Sequence, residues 1–252
     1  MTKHIGVVGV SYEGAALCYR TICQEGKDVL GLYEHPEVTM HTFNLNDYKK
    51  PSDAERWDLV SERILASAHI LKGAGADFLI CPDNTVHVSI DPIMEKSPLP
   101  WLHIAEEVAV EAGAKGFRQL GLLGTQPLME GPVYPSKLSP RGIQVRTPDL
   151  AERRQIHKYI VEELIYGTLL PATREYFEAL IADFAEQGCD AVILGCTEIP
   201  LLIDTADSVL PTLDSTRLLA RAALRAGPPW RREVSATCGT KQRDVYSTNN
   251  LA

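Results

Sequence analysis

A stretch of eleven residues occurs twice in this chain of 252, and the copies differ where chemistry would sit. Gly75 to Thr85 reads GADFLICPDNT, and Gly188 to Glu198 reads GCDAVILGCTE, 113 positions later. The offset pairs Gly75 with Gly188, Asp77 with Asp190 and Asp83 with Cys196. Each copy is an apolar run breaking into small polar residues, the way a buried parallel strand ends at a site. A second pair, Ile5 to Ser11 and Leu120 to Gln126, repeats at an offset of 115. Two units of this kind predict two similar α/β lobes presenting Asp83 and Cys196 from opposite sides of one cleft.

The rest of the chain alternates accordingly. Strands are expected at 4–10, 77–81, 119–124, 142–147 and 190–195, with a last one near 208–211. Residues 29–45 suggest two strands, or one irregular strand with a turn at His35, Pro36 and Glu37. Helical spacing of Trp57, Val60, Ile64, Leu65, Ala68 and Leu71 predicts a helix over 53–73. Others are expected at 13–26, near 86–95, within 101–113 and near 215–225, with two over 150–187 broken near Gly167. This pattern means mostly parallel sheets flanked by helices. The first lobe is expected over 1–98, completed by about 207–226, and the second over 99–206. The segment 227–252, with Pro228, Pro229 and no periodicity, reads as an extended or disordered tail.

Composition narrows the function. A net charge of −8 with both signs interspersed argues against a nucleic-acid or acidic membrane surface. No apolar run reaches the roughly 18 residues of a membrane span, and the N-terminus enters a strand without a secretory pattern. A cytoplasmic protein is expected. Six cysteines without CxxC spacing read as mostly buried thiols, with no metal site. Gly6, Gly9 and Gly14 are spaced too loosely for a dinucleotide fingerprint, so no cofactor is expected.

Cys196 is the strongest chemical candidate. It ends a strand, where open α/β sheets place ligands, and turn amides there would lower its thiol pKa. Asp83 alone would read as a helix cap; its pairing with Cys196 makes it a candidate site residue. Asn84, Thr85, Thr125 and Thr197 follow predicted strands and offer donors to a carboxylate. Ser11 ends the first strand, and Glu198 could orient the Cys196 thiol. Glu13 is a further candidate, whereas His87 and His103 read as structural.

At these residues the chain resembles the cofactor-independent aspartate/glutamate racemases, and most of all their L-aspartate/glutamate-specific subgroup. The family's P-C-N-T-x-H motif stands here as Pro82, Asp83, Asn84, Thr85, Val86 and His87. Its G-C-T-E-[IL]-P motif stands as Gly195, Cys196, Thr197, Glu198, Ile199 and Pro200. Gly121 to Thr125 and Pro211 to Thr216 also match. The resemblance implies two pseudo-symmetric lobes, a homodimer, and two cysteines flanking the substrate α-carbon without pyridoxal phosphate. Small polar residues would hold the α-amino and α-carboxylate groups.

Here the first cysteine is Asp83. The basic residues with which several aspartate racemases hold the distal carboxylate fall near Tyr48 and Thr168, so the distal-group preference stays open. A carboxylate near pKa ~4 is a poor base for an α-proton. Cys196 is therefore expected as base, the resemblance implies that it faces the α-proton of the L enantiomer, and protonated Asp83 is expected as donor. Two other readings remain: a single-cysteine carbon-acid enzyme, such as a malonate-type decarboxylase or isomerase, and an inactive ligand-binding homologue.

Overall fold

A computed structural model describes residues 3–203, 206 and 208–226. The tail expected over 227–252 lies outside the described residues. The strands are β1 (Ile5–Gly9), β2 (Val38–Thr42), β3 (Phe78–Ile80), β4 (Trp101–Leu102), β5 (Gln119–Leu123), β6 (Gln144–Arg146), β7 (Ala191–Leu194) and β8 (Thr212–Asp214). The helices are α1 (Tyr12–Leu30), α2 (Asn46–Asp53), α3 (Trp57–Gly73), α4 (His87–Ile90), α5 (Ile104–Ala114) and α6 (Gln126–Glu130). They continue with α7 (Val133–Leu138), α8 (Leu150–Glu162), α9 (Pro171–Glu186), α10 (Ile199–Leu202) and α11 (Ser215–Ala226).

Two four-stranded sheets result, ordered β2-β1-β3-β4 and β6-β5-β7-β8, with every pairing parallel. The two α/β lobes thus share one strand order. The registers Ile5 to Phe78 and Leu120 to Ala191 are equivalent, which is the sequence repeat seen in space. Every residue of β1, β3 and β7 is buried, because helices cover both faces of these inner strands.

Part of the repeat is architectural. Gly75 and Gly188 adopt φ of 93° and 80°, which favours glycine at both turns. The Asp77 carboxylate accepts from His4 N at 2.7 Å, and that of Asp190 from Arg118 N and Gln119 N at 2.6 and 2.9 Å. Each Asp therefore pins the start of the neighbouring central strand.

Several boundaries differ from expectation. Of residues 29–45, only Val38–Thr42 form a strand, because α1 runs on to Leu30 and Gly31 ends it at φ 115°. The last strand is Thr212–Asp214 and not 208–211, since its ladder with β7 begins only after Pro211. β4 belongs to the first sheet, so the chain changes sheets after Leu102; β8 belongs to the second. Helix α11 then packs on α1, burying Leu219, Ala220, Ala223 and Leu224 with Cys18 and Ile22. The expected break near Gly167 is a left-handed residue at φ 72°, with Pro171 opening α9.

Candidate active site

In both sheets the strand order reverses between the two central strands, β1 and β3 in the first and β5 and β7 in the second, where crossovers leave in opposite directions and open a crevice at the strand C-termini. The two crevices face one another and enclose a cavity of about 120 Å³. At about 30 Å³ of liquid volume per water, it suits a small molecule. Ser11, Asp83, Asn84, Thr85, Thr125, Cys196, Thr197 and Glu198, all singled out from the sequence, line it together. Glu13 lies in the first turn of α1 and is not among the lining residues.

Glu198 organises the floor. Its Oε2 accepts from Cys196 Sγ at 2.9 Å and from Thr197 Oγ1 at 2.8 Å, and its Oε1 accepts from Ser11 Oγ at 2.7 Å. Three donors converging on one buried carboxyl is the pattern of an acceptor-only, ionised group. Ser11 also caps α1, accepting from Gly14 N at 3.2 Å. The first lobe's opening helix is thereby tied to the second lobe's Cys196 loop.

The Cys196 thiol titrates well above its usual range, first through burial and then through the Glu198 charge and hydrogen bond. Its strand-end position predicted the opposite direction. The reasons are that the sulfur is buried and that a carboxylate, not a cation, sits against it. Across the cavity, the half-buried Asp83 is pushed up to about 6, first by desolvation; the Val86 amide opposes the shift and the Glu198 charge adds to it. Asp83 and Glu198 are thus two acidic groups lining one cavity beside the Cys196 thiol.

The polar shell is pinned from behind. Asn84 Oδ1 accepts from Tyr134 OH at 2.6 Å, and Asn84 Nδ2 donates to Ser215 Oγ at 3.0 Å. Ser215 in turn donates to the carbonyl of Leu194 at 2.9 Å, at the end of β7. The 211–216 motif therefore joins the two strand ends and does not line the cavity. Thr85 and Thr125 hydroxyls meet at 2.7 Å across the lobes. Tyr12 OH donates to the carbonyl of Ile165 at 2.6 Å, a further link between lobes.

Gly14 lets α1 approach the site. A Cβ there would lie 2.8 Å from Thr197 Cβ and 2.9 Å from its Oγ1. Gly14→Ala is expected to push Thr197, and with it Cys196 and Glu198, out of position. Turnover should fall on the order of 100-fold, the cost of misplacing reacting groups by about 1 Å. Steady-state kinetics beside a circular dichroism check of folding would measure this.

Sequence reasoning missed the rest of the cavity lining. Leu45, Tyr48, Lys49, Ser52 and Asp53 join it from the α2 region, and Pro127, His157, Ile160, Val161 and Ile165 from the opposite lobe. None belongs to a motif. Only the helical spacing of α8 could have suggested that His157, Ile160 and Val161 share a face.

Behind Asp83, the rings of His87 and His103 meet edge-on at 4.3 Å. Burial keeps both neutral: His87 titrates well below its usual 6.5, and His103 is pushed down to about 3, with Lys137 adding to the effect. Unfolded, each would bind a proton near pH 6.5. The unfolded chain then holds protons the folded chain refuses. Stability falls as pH drops below about 6.5, by roughly 1.4 kcal/mol per pH unit per ring. Asp83 works oppositely below about 6, where the folded state binds its proton first, and offsets one ring. The urea midpoint is expected to drop between about pH 7 and about pH 5; equal midpoints would mean solvated rings.

The chain matches the family model described as Asp/Glu/Hydantoin racemase over residues 5–223. The broad specificity amino-acid racemase of Bacillus subtilis (strain 168) is 28% identical over 170 residues, covering 66% of this chain and 72% of that protein. A glutamate racemase of Thermus thermophilus is 32% identical over 167 residues, covering 63% of this chain and 58% of that enzyme. The curated glutamate racemases it matches are spanned over 58–66% of their length. Among solved structures, a putative Asp/Glu racemase from Yersinia pestis superposes with a TM-score of 0.81 at 32% identity, covering 89% of this chain and 98% of that one. An aspartate racemase homologue from Pyrococcus horikoshii OT3 gives 0.77 at 28% identity, with 90% and 99% covered. The matched residues include both strand-end loops that build the cavity, and the chain belongs to the Asp/Glu/Hydantoin racemase family of isomerases.

Proposed function

We propose that this protein is a cofactor-independent amino-acid racemase working mainly from the L enantiomer, with Cys196 as base and Asp83 as proton donor. The observation that carries the reading is the cavity wall itself: a thiol hydrogen-bonded to a carboxylate on one strand end, and a carboxyl of raised pKa on the equivalent strand end of the other lobe.

The resting site holds a thiol on Cys196, a carboxylate on Glu198 and a carboxylic acid on Asp83. The substrate ammonium brings a positive charge to a floor bearing two acidic groups, while hydroxyl and amide donors of Thr85, Thr125 and Thr197 receive its carboxylate. Glu198 Oε2 takes the thiol proton along the existing hydrogen bond. The thiolate then removes the α-proton, and the electron pair delocalises into the carboxylate. Asp83 delivers its proton to the opposite face of the α-carbon. Cys196 is again a thiol, and one proton has moved from Asp83 to Glu198; water returns it.

The Glu198 carboxylate favours this reading over a malonate-type decarboxylase. A dianionic substrate would face the Glu198 carboxylate, with Lys49 the one Lys or Arg among the described lining residues and already paired with Asp53, whereas an ammonium offsets the Glu198 charge. The reading includes a cytoplasmic protein acting on a small molecule as a homodimer. The family resemblance supports the dimer, and light scattering on purified protein tests it. Among the described residues, no helix is long and apolar enough to cross a membrane.

The direct test is proton NMR of α-hydrogen loss in D₂O, with L- and D-amino acids and no added cofactor. Loss of the α-signal with appearance of the opposite enantiomer is expected. Tight binding without exchange would instead favour a ligand-binding homologue.

A further inference from the structure

We propose that the cavity selects amino acids with neutral, aliphatic side chains, and that Asp53 sets this preference by holding Lys49. The inference rests on the racemase reading above and names its substrate class.

The cavity has two unlike halves. Its floor carries Cys196, Asp83 and Glu198, together with the hydroxyls of Ser11, Thr85 and Thr125. The reacting α-carbon, with its ammonium and carboxylate, must lie there. The side chain then meets the rest of the lining, which includes Leu45, Pro127, Ile160, Val161 and Ile165. An aliphatic group gains by leaving water against such a surface.

An acidic side chain meets no free cation. Lys49 is the one Lys or Arg among the described lining residues. Both carboxylate oxygens of Asp53, one helical turn away on α2, lie 2.5 Å from its Nζ. His157, beside this pair, is kept neutral by burial first and by Lys49 second. The Lys49 and Asp53 charges therefore cancel, and the Glu198 carboxylate adds only negative potential. The Lys49–Asp53 pair is partly exposed, so its own strength is small. Selection arises from the net charge: even if Lys49 swung to a ligand carboxylate, Asp53 would remain beside it. A distal carboxylate would be desolvated against apolar wall without net compensation.

The test measures α-proton exchange for L-alanine, L-valine, L-leucine and L-methionine against L-aspartate, L-glutamate and L-lysine. It uses the wild type, Asp53→Asn, and Asp53→Asn with Lys49→Met. In the wild type, kcat/KM for the best aliphatic substrate is expected to exceed that for both acids by about tenfold or more. Asp53→Asn frees Lys49 and should raise the acidic substrates about tenfold, and the added Lys49→Met should remove that gain. A wild type preferring aspartate, glutamate or lysine overturns the inference and leaves the racemase reading intact. So does an Asp53→Asn variant that turns over aliphatic substrates with an unchanged ratio. A wild type that exchanges no amino acid overturns both.

Discussion

Cys196→Ala is expected to abolish α-proton exchange from L-amino acids, by about a thousandfold or more in kcat/KM, while the fold survives. General base catalysis by a positioned group contributes typically 10²–10⁴-fold, and Cys196 is the one thiol among the described lining residues. Glu198 is nearest in kind, but its carboxyl is held by Ser11 and Thr197 as well as by the thiol. Removing the sulfur leaves that carboxylate with two of its three donors. The loss of stability is therefore small: one hydrogen bond to a charged group, about 1.5–3 kcal/mol, is removed from a cavity-facing position that water can refill. Cys196→Ser is the sharper control. It keeps the hydrogen bond to Glu198 yet supplies an alkoxide far too basic to form, so it should be nearly as inactive as alanine. Exchange monitored by NMR in D₂O, with urea denaturation of each variant, separates the two effects. Full exchange in either variant would move the base elsewhere.

The repeat made the core of this site readable in advance. Its glycines at 75 and 188 and its Asp pair at 77 and 190 mark equivalent turns and strand starts. Whatever follows each apolar run must then lie at equivalent strand ends, which is how Asp83 and Cys196 come to line one cavity. The direction of the Cys196 pKa was not readable. It depends on Glu198 folding back from two residues away onto the sulfur, a side-chain choice that no spacing encodes. The rest of the lining was also hidden. Helix α2 is polar, contains Pro51, and buries only Tyr48, so it carries neither helical periodicity nor a motif. Its position comes from packing on α3, and Lys49 and Asp53 acquire meaning only once α8 stands opposite. Strand β8 was misplaced for a similar reason: three residues define it, and their register with β7 is a tertiary fact.

Asp83→Asn is expected to uncouple exchange from inversion. With Cys196 and Glu198 intact, the thiolate still removes the α-proton of the L enantiomer and can return a solvent deuteron to the same face. The opposite face loses its donor, and D-enantiomer formation falls by about 100-fold or more. The pH profile carries the same argument. The forward reaction needs a proton on Asp83, and the reverse needs it on Glu198. These are two arrangements of one shared proton, so both directions require the singly protonated pair. Enantiomers are equal in energy, so kcat/KM must be the same both ways, and the preference for the L enantiomer lies in kcat and KM taken separately. The Asp83 carboxyl is pushed up to about 6. Above that pH the free enzyme loses the shared proton, and kcat/KM should decline about tenfold per pH unit in both directions. Asp83→Asn removes the titrating group and should flatten that limb in the residual exchange rate. An unchanged alkaline limb in the variant, or equal loss of exchange and inversion, would show that the proton comes from another group.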